Sequence, residues 1–192
     1  MTRQITLPDG TVLTLSPDQD RAVSLCLDAL QERASEAVLA GAAGTGKTTV
    51  MNAILSEWKG GILFMAPTGK AAHRLEEQTG KATCTIHSGV YKTVEEGQGG
   101  DRREQLIFGE PDTPRGCNRS TLVVVDEASM VGEKVANTLR EVVFAVGARI
   151  LWVGDHEQLP PVDGTGSWGA DLTNPTAKLT QVHRQALESP VL

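Results

Sequence analysis

The chain is 192 residues long, room for one ordinary domain with a small insertion, and its 40% hydrophobic against 22% charged residues supply a core and exclude a wholly disordered chain. No apolar run approaches the ~18 residues of a membrane span, and the N-terminal stretch holds no apolar segment of signal-peptide length, so no membrane association and a cytoplasmic location are expected. Eighteen basic against 24 acidic residues leave a net charge of −6, which excludes a broad basic footprint and confines any nucleic-acid contact to a local surface.

Residues 5–15 alternate apolar and polar positions around Pro8-Asp9-Gly10, the pattern of two short β runs about a turn. Ser16-Pro17-Asp18-Gln19 predicts a helix start, with serine as N-cap, proline at the first helical position and glutamine closing a capping box. Ala22, Leu25, Cys26, Ala29 and Leu30 mark its apolar stripe. A short strand over Ala37–Ala40 runs into Gly41. A helix from about Lys47 to Trp58 follows, then a buried strand Ile62–Ala66 and a helix from about Lys70 to Gln78. Residues 93–120 break this rhythm. They are rich in glycine and charge, carry one apolar cluster (Leu106, Ile107, Phe108), and read as an inserted loop with a small β element. The rhythm returns with a strand Leu122–Val125, a helix over roughly Glu133–Val146 and a strand Ala148–Val153. Alternation of this kind predicts an α/β fold, a parallel sheet with helices on both faces. Cys26, Cys84 and Cys117, odd in number and without a CxxC pair, argue against a disulfide framework and against a zinc site.

Three segments carry chemistry. Gly41-Ala42-Ala43-Gly44-Thr45-Gly46-Lys47-Thr48 fits G-x-x-x-x-G-K-[ST] between a strand and a helix. Its glycines let backbone N–H groups converge on phosphates at a helix N-terminus; Lys47 suits the β- and γ-phosphates of ATP, and Thr48 suits Mg2+. Asp126 and Glu127 end an apolar strand, where ligands of open α/β sheets bind. Asp126 suits Mg2+, reached through water, and Glu127 suits the orientation or deprotonation of an attacking water. Gly154-Asp155-His156-Glu157-Gln158 ends another apolar strand. There Gln158, an uncharged amide, suits a sensor of the γ-phosphate, while Asp155 reads equally well as an ordinary N-cap.

Taken in order, Gln19, GAAGTGKTT (41–49), APTGKAA (66–72), TIHS (85–88), VVDEAS (124–129), VGDHEQLPPV (153–162) and LTQVHRQ (179–185) resemble superfamily 1 DNA helicases of the RecD-like and Dda-like branch, which moves 5′→3′ on single strands. The likeness covers nearly the whole chain. It implies a P-loop NTPase with a RecA-like sheet that couples ATP hydrolysis to stepping along single-stranded DNA. By position, Gln19 matches the glutamine that recognises adenine, a role that competes with its capping box. Thr49 belongs to the same phosphate loop, and Arg184 matches an arginine that contacts the γ-phosphate. Pro67, Thr68, Gly69 and Lys70 match a motif that grips the DNA backbone, and Thr85, Ile86 and His87 match a second one. Hydroxyls, amides and one lysine hold phosphates without a basic surface, which reconciles DNA binding with the acidic chain.

The resemblance also suggests an organisation: an N-terminal β segment (1–15), a first RecA-like ATPase domain (16–92 and 119–192) and a small pin-like insertion (93–118). Phe108 in that insertion either stacks on a base or packs locally with Leu106 and Ile107. Motors of this kind close ATP between two RecA-like domains. A second one, C-terminal to residue 192 or on another chain, is therefore an expected partner, and residues 1–192 alone are expected to hydrolyse ATP weakly. Two other readings stay open at this point: a nucleotide-gated binding module without unwinding, and a P-loop kinase acting on a small molecule.

Overall fold

The computed structural model describes residues 3–6, 10–32, 34–93, 108–155, 157–158, 161 and 169–182. The chain opens with β1 (Gln4–Thr6) and β2 (Val12–Thr14), paired antiparallel with Ile5 opposite Leu13; Pro8 and Asp9 of the expected turn lie outside the described residues. Arg3 latches this hairpin to the body, donating to Asp20 and to Glu57, each at 2.6 Å.

Helix α1 (Pro17–Gln31) begins as its sequence dictates: Ser16 Oγ accepts from the Gln19 N–H, and Gln19 Oε1 accepts from the Ser16 N–H. Its buried face is Gln19, Ala22, Val23, Cys26, Leu27 and Leu30. Leu25, expected in that stripe, is instead 40% exposed, because the row centres on Val23 and Leu30, about two-fifths of a turn away.

The body then runs β3 (Glu36–Gly41), α2 (Lys47–Glu57), β4 (Ile62–Ala66), α3 (Gly69–Thr79), β5 (Thr83–Thr85), α4 (Ile86–Val90), β6 (Tyr91–Thr93), β7 (Phe108–Pro111), β8 (Leu122–Val125), a single 3-10 turn (Ala128–Met130), α5 (Glu133–Ala145), β9 (Arg149–Gly154) and β10 (Ala177–Leu179). Strands β6 and β7 pair antiparallel beside the main sheet, at the two ends of the expected insertion, and residues 94–107 between them lie outside the described set.

Six strands form one sheet in the order β10-β3-β9-β8-β4-β5, every neighbouring pair parallel. Strand periodicity divides the core between the two faces. Ala37, Leu39, Leu122, Val124, Leu151 and Val153 pack with the apolar faces of α1 and α2 and with Leu75 of α3. Val38, Ala40, Val123, Val125, Ile150 and Trp152 pack with α4 and α5. This is the expected α/β architecture. Among the described residues no helix is long and apolar enough to cross a membrane.

A polar clamp ties the second face to the segment before β10. Arg140 of α5 forks onto Glu36 at 2.8 and 3.2 Å and donates to the Gly169 carbonyl at 2.7 Å, while the Trp152 indole donates to Glu36 at 2.9 Å.

Candidate active site

Sheet register gathers the motifs on one rim. Ala40 lies opposite Gly154, Leu179 opposite Gly41, Val125 opposite both Trp152 and Met65, and Ala66 opposite Thr85. The carboxyl ends of all six strands therefore open to the same side, the edge where open α/β sheets take ligands.

Residues 42–46 turn from β3 into α2. Gly44 and Gly46 sit at φ 78° and 87°, a left-handed conformation that costs glycine nothing. Thr45, 1% exposed, braces the loop by donating from Oγ1 to the Ala42 carbonyl at 2.9 Å. The Lys47 ammonium donates to the carbonyls of Gly41 at 2.7 Å and Ala42 at 3.1 Å, which holds its charge over the loop. Thr48 is exposed in the first turn of α2, and Thr49 beside it is half-buried. Gln19 lies behind the loop, 7% exposed, its Nε2 3.5 Å from the Thr45 carbonyl, and a Cβ on Gly46 would collide with it. The capping box expected of Gln19 is formed.

Asp126 follows β8, its N–H donating to the Met65 carbonyl at 3.1 Å. Burial pushes its carboxyl above the ordinary carboxylate range, and the nearby Glu127 charge adds to this. The Glu127 N–H and the cations Lys47 and Arg74 pull the other way without reversing it. Glu127 is the sole non-glycine residue at positive φ among those described, at φ 52° and ψ 41°. Its carboxylate lies 3.8 Å from Arg74 of α3. Among the described residues no group of three or more His, Cys, Asp or Glu could hold a metal ion. Thr48 and Asp126 offer one hydroxyl and one carboxylate, a sparse oxygen set that fits Mg2+ completed by phosphate and water.

Asp155 is 5% exposed and organises the turn after β9, accepting from the Glu157 N–H at 3.0 Å, while the Gln158 N–H donates to its carbonyl at 3.3 Å. The Gln158 side chain is exposed, and its Oε1 accepts from the hydroxyl of fully buried Ser129 at 2.8 Å. Ser129 and Arg74 are the site residues that sequence reasoning missed. For Ser129 the signal lay within VVDEAS, a buried hydroxyl separated from the two acids by one residue. Past β10, Asp18 accepts from the N–H groups of Thr180 at 3.1 Å and Gln181 at 3.5 Å. This steers the chain so that Val182 faces Gly44. Arg184 lies outside the described residues.

On the other half of the rim, Thr68 caps α3 by accepting from the Ala71 N–H at 3.2 Å, and Thr85 caps α4 by accepting from the Ser88 N–H at 3.1 Å. Thr68, Gly69 and Lys70 are exposed, Pro67 half-buried. His87 stacks on Tyr91 with ring centroids 5.8 Å apart. Ile86 belongs to the second expected DNA-contacting motif. Its side chain is 1% exposed in the core, because an apolar residue at the first helical position of α4 turns onto the sheet. Its backbone alone is left for a ligand. Phe108 starts β7, and its side chain lies outside what is described.

The sequence matches a family model described as an AAA domain over residues 14–190. The chain belongs to this family. The ATP-dependent RecD2 DNA helicase of Deinococcus radiodurans is 41% identical over 81% of the chain and 20% of that protein. The ATP-dependent DNA helicase Dda of Enterobacteria phage T4 is 29% identical over 78% of the chain and 33% of that protein. The crystal structure of a Bacteroides Pif1 in complex with ADP-AlF4 superimposes with a TM-score of 0.58 at 22% identity, covering 90% of this chain and 43% of that one, a likeness of fold. The resemblance to the RecD-like and Dda-like branch of superfamily 1 therefore holds, as does the P-loop NTPase fold. The chain spans between a fifth and a third of these two curated relatives.

Proposed function

We propose that this AAA-family chain is the nucleotide-hydrolysing motor domain of an ATP-dependent 5′→3′ DNA helicase, acting in the cytoplasm on single-stranded DNA with Mg2+. The observation that carries the reading is the shared rim: the phosphate loop, Asp126-Glu127 and Gln158 stand on the same sheet edge as the capped N-termini of α3 and α4. A kinase for small molecules has no use for that second half of the rim.

In this reading the residues divide the work. Residues 41–49 cradle the phosphates with their backbone, and Lys47 exchanges two loop carbonyls for β- and γ-phosphate oxygens. Thr48 and Asp126 would hold Mg2+, which would supply positive charge to offset that developing on the phosphates. Glu127 orients the attacking water and takes its proton. Gln158 senses the γ-phosphate, with its amide oxygen tethered by Ser129 so that its two N–H donors face outward. Arg184, two residues beyond Val182, brings a fork of donors to the same phosphate. Gln19 reads adenine only after its Ser16 contact is released. Pro67, Thr68, Gly69, Lys70, Thr85 and His87, with the Ile86 backbone, contact the strand, and Phe108 on the 93–118 pin is the candidate base-stacking residue. A second RecA-like domain closes the other side of the nucleotide.

The test is ATP turnover by the purified chain with and without single-stranded DNA. Stimulation is expected, with Glu127→Gln losing turnover yet keeping nucleotide, and Lys47→Ala losing both. Turnover indifferent to DNA, or equal loss of nucleotide binding in both variants, would sink the reading.

A further inference from the structure

Arg74 has no part in the scheme above, yet it is the cation paired with the proposed base among the described residues. Its Nη1 lies 3.8 Å from Glu127 Oε1, with the arginine side chain 69% exposed and the glutamate 29%. Three features make this pair an exchangeable one. First, an exposed guanidinium at that distance from a carboxylate is weakly held, and a phosphate offering two oxygens to the same fork competes well. Second, Arg74 lies four residues after Lys70 on α3, so both cations project from one helix face, continuous with the capped N-terminus proposed to meet DNA. Third, the Glu127 backbone is fixed. It sits in the left-handed region, its carbonyl accepts from the Met130 N–H at 2.9 Å, and the preceding Asp126 N–H is tied to Met65. The side chain is then the part free to change partner.

We infer that Arg74 is shared between Glu127 and the DNA backbone: it holds the carboxylate when α3 carries no DNA and passes to a phosphate when it does, releasing Glu127 to act on water. A carboxylate paired with a guanidinium has one oxygen engaged by that partner and held from the attacking water. DNA would thus raise turnover by removing a restraint. Because binding linkage is reciprocal, the glutamate must also weaken the grip of Arg74 on DNA. The inference rests on the proposed roles of Glu127 and α3.

The deciding measurement is fluorescence anisotropy of a labelled oligo-dT with the whole chain over a salt series, which needs no turnover. Arg74→Ala should lower the log–log salt slope by ~0.7, one single-strand phosphate contact. Glu127→Gln should tighten binding about two- to fivefold, the range of a weak ion pair, and should lose that gain in the Arg74→Ala background. In turnover assays Arg74→Ala should raise the DNA-free rate and shrink the stimulation by DNA, with Arg74→Lys nearer to the parent. An equal gain from Glu127→Gln with or without Arg74, or an unchanged slope in Arg74→Ala, would overturn the inference while Lys70→Ala still weakened binding. If Lys70→Ala also had no effect, the DNA reading of α3 would fail, and this inference with it.

Discussion

Ser129 shows how a buried hydroxyl governs an exposed amide. Removing it in Ser129→Ala deletes one hydrogen bond of about 1 kcal/mol and leaves Gln158 free to rotate. The expected outcome is a turnover number about five- to tenfold lower with KM little changed, read by steady-state kinetics. Asp126 works against folding. Its pKa is raised in the native state, so between the unfolded value of about 3.9 and the raised one the native chain binds more protons than the unfolded chain, and stability falls as pH rises. Asp126→Asn should therefore melt at a higher temperature than the parent at pH 7, with the difference fading as pH drops below about 4, and should lose Mg2+-dependent turnover. At this scale sequence patterns reach as far as local spacing does. Lys47 and Asp126 stand in readable motifs, whereas the partners Ser129–Gln158 and Arg74–Glu127 come from different strands and helices and leave no periodic trace.

Among the elements, α1 couples stability to the nucleotide site, because its capping glutamine also packs behind Gly46. Ser16→Ala should destabilise the fold by about 1 kcal/mol in denaturant unfolding and leave Gln19 less restrained against the loop. Its effect on nucleotide affinity reports whether Gln19 serves mainly as a cap or as an adenine contact. Legibility here followed burial. Leu122–Val125, apolar at every position, was readable because both faces are covered, and α1, α2 and α5 were readable from caps and apolar spacing. Strands β5 and β10 have three residues each, and α4 has five. They are held by neighbours in the sheet and lack a pattern long enough to declare itself. Leu25 misled because it is apolar at near-helical spacing on the wrong side of the buried row.

For the molecule as a whole, the proposed function asks an acidic chain to hold a polyanion through a small part of its rim. The log of affinity for single strands should fall with the log of salt at ~0.7 per contact, giving a shallow slope set by a few groups such as Lys70 and Arg74. A steep slope in a salt titration would point to a basic surface elsewhere. In the proposed function the rim separates into a phosphate half and a strand half, joined by α3 and the turn after β8, so that neither ligand would need to touch the other to be felt.

The position of β3 in the sheet carries a consequence for how the protein is made. The strand that ends in the phosphate loop has β9 and β10 as its neighbours, and these are the last two strands of the described chain. A ribosome adding ~5–20 residues each second delivers the loop several seconds before the walls that support it. During that interval Val38, Leu39 and Ala40 present an apolar strand with both edges unpaired, open to any other nascent strand. Ala177–Leu179 must emerge and dock before the edge of β3 beside the phosphate loop is paired. A chain cut before Ala177 should then be recovered as aggregate, with no ATP-binding monomer.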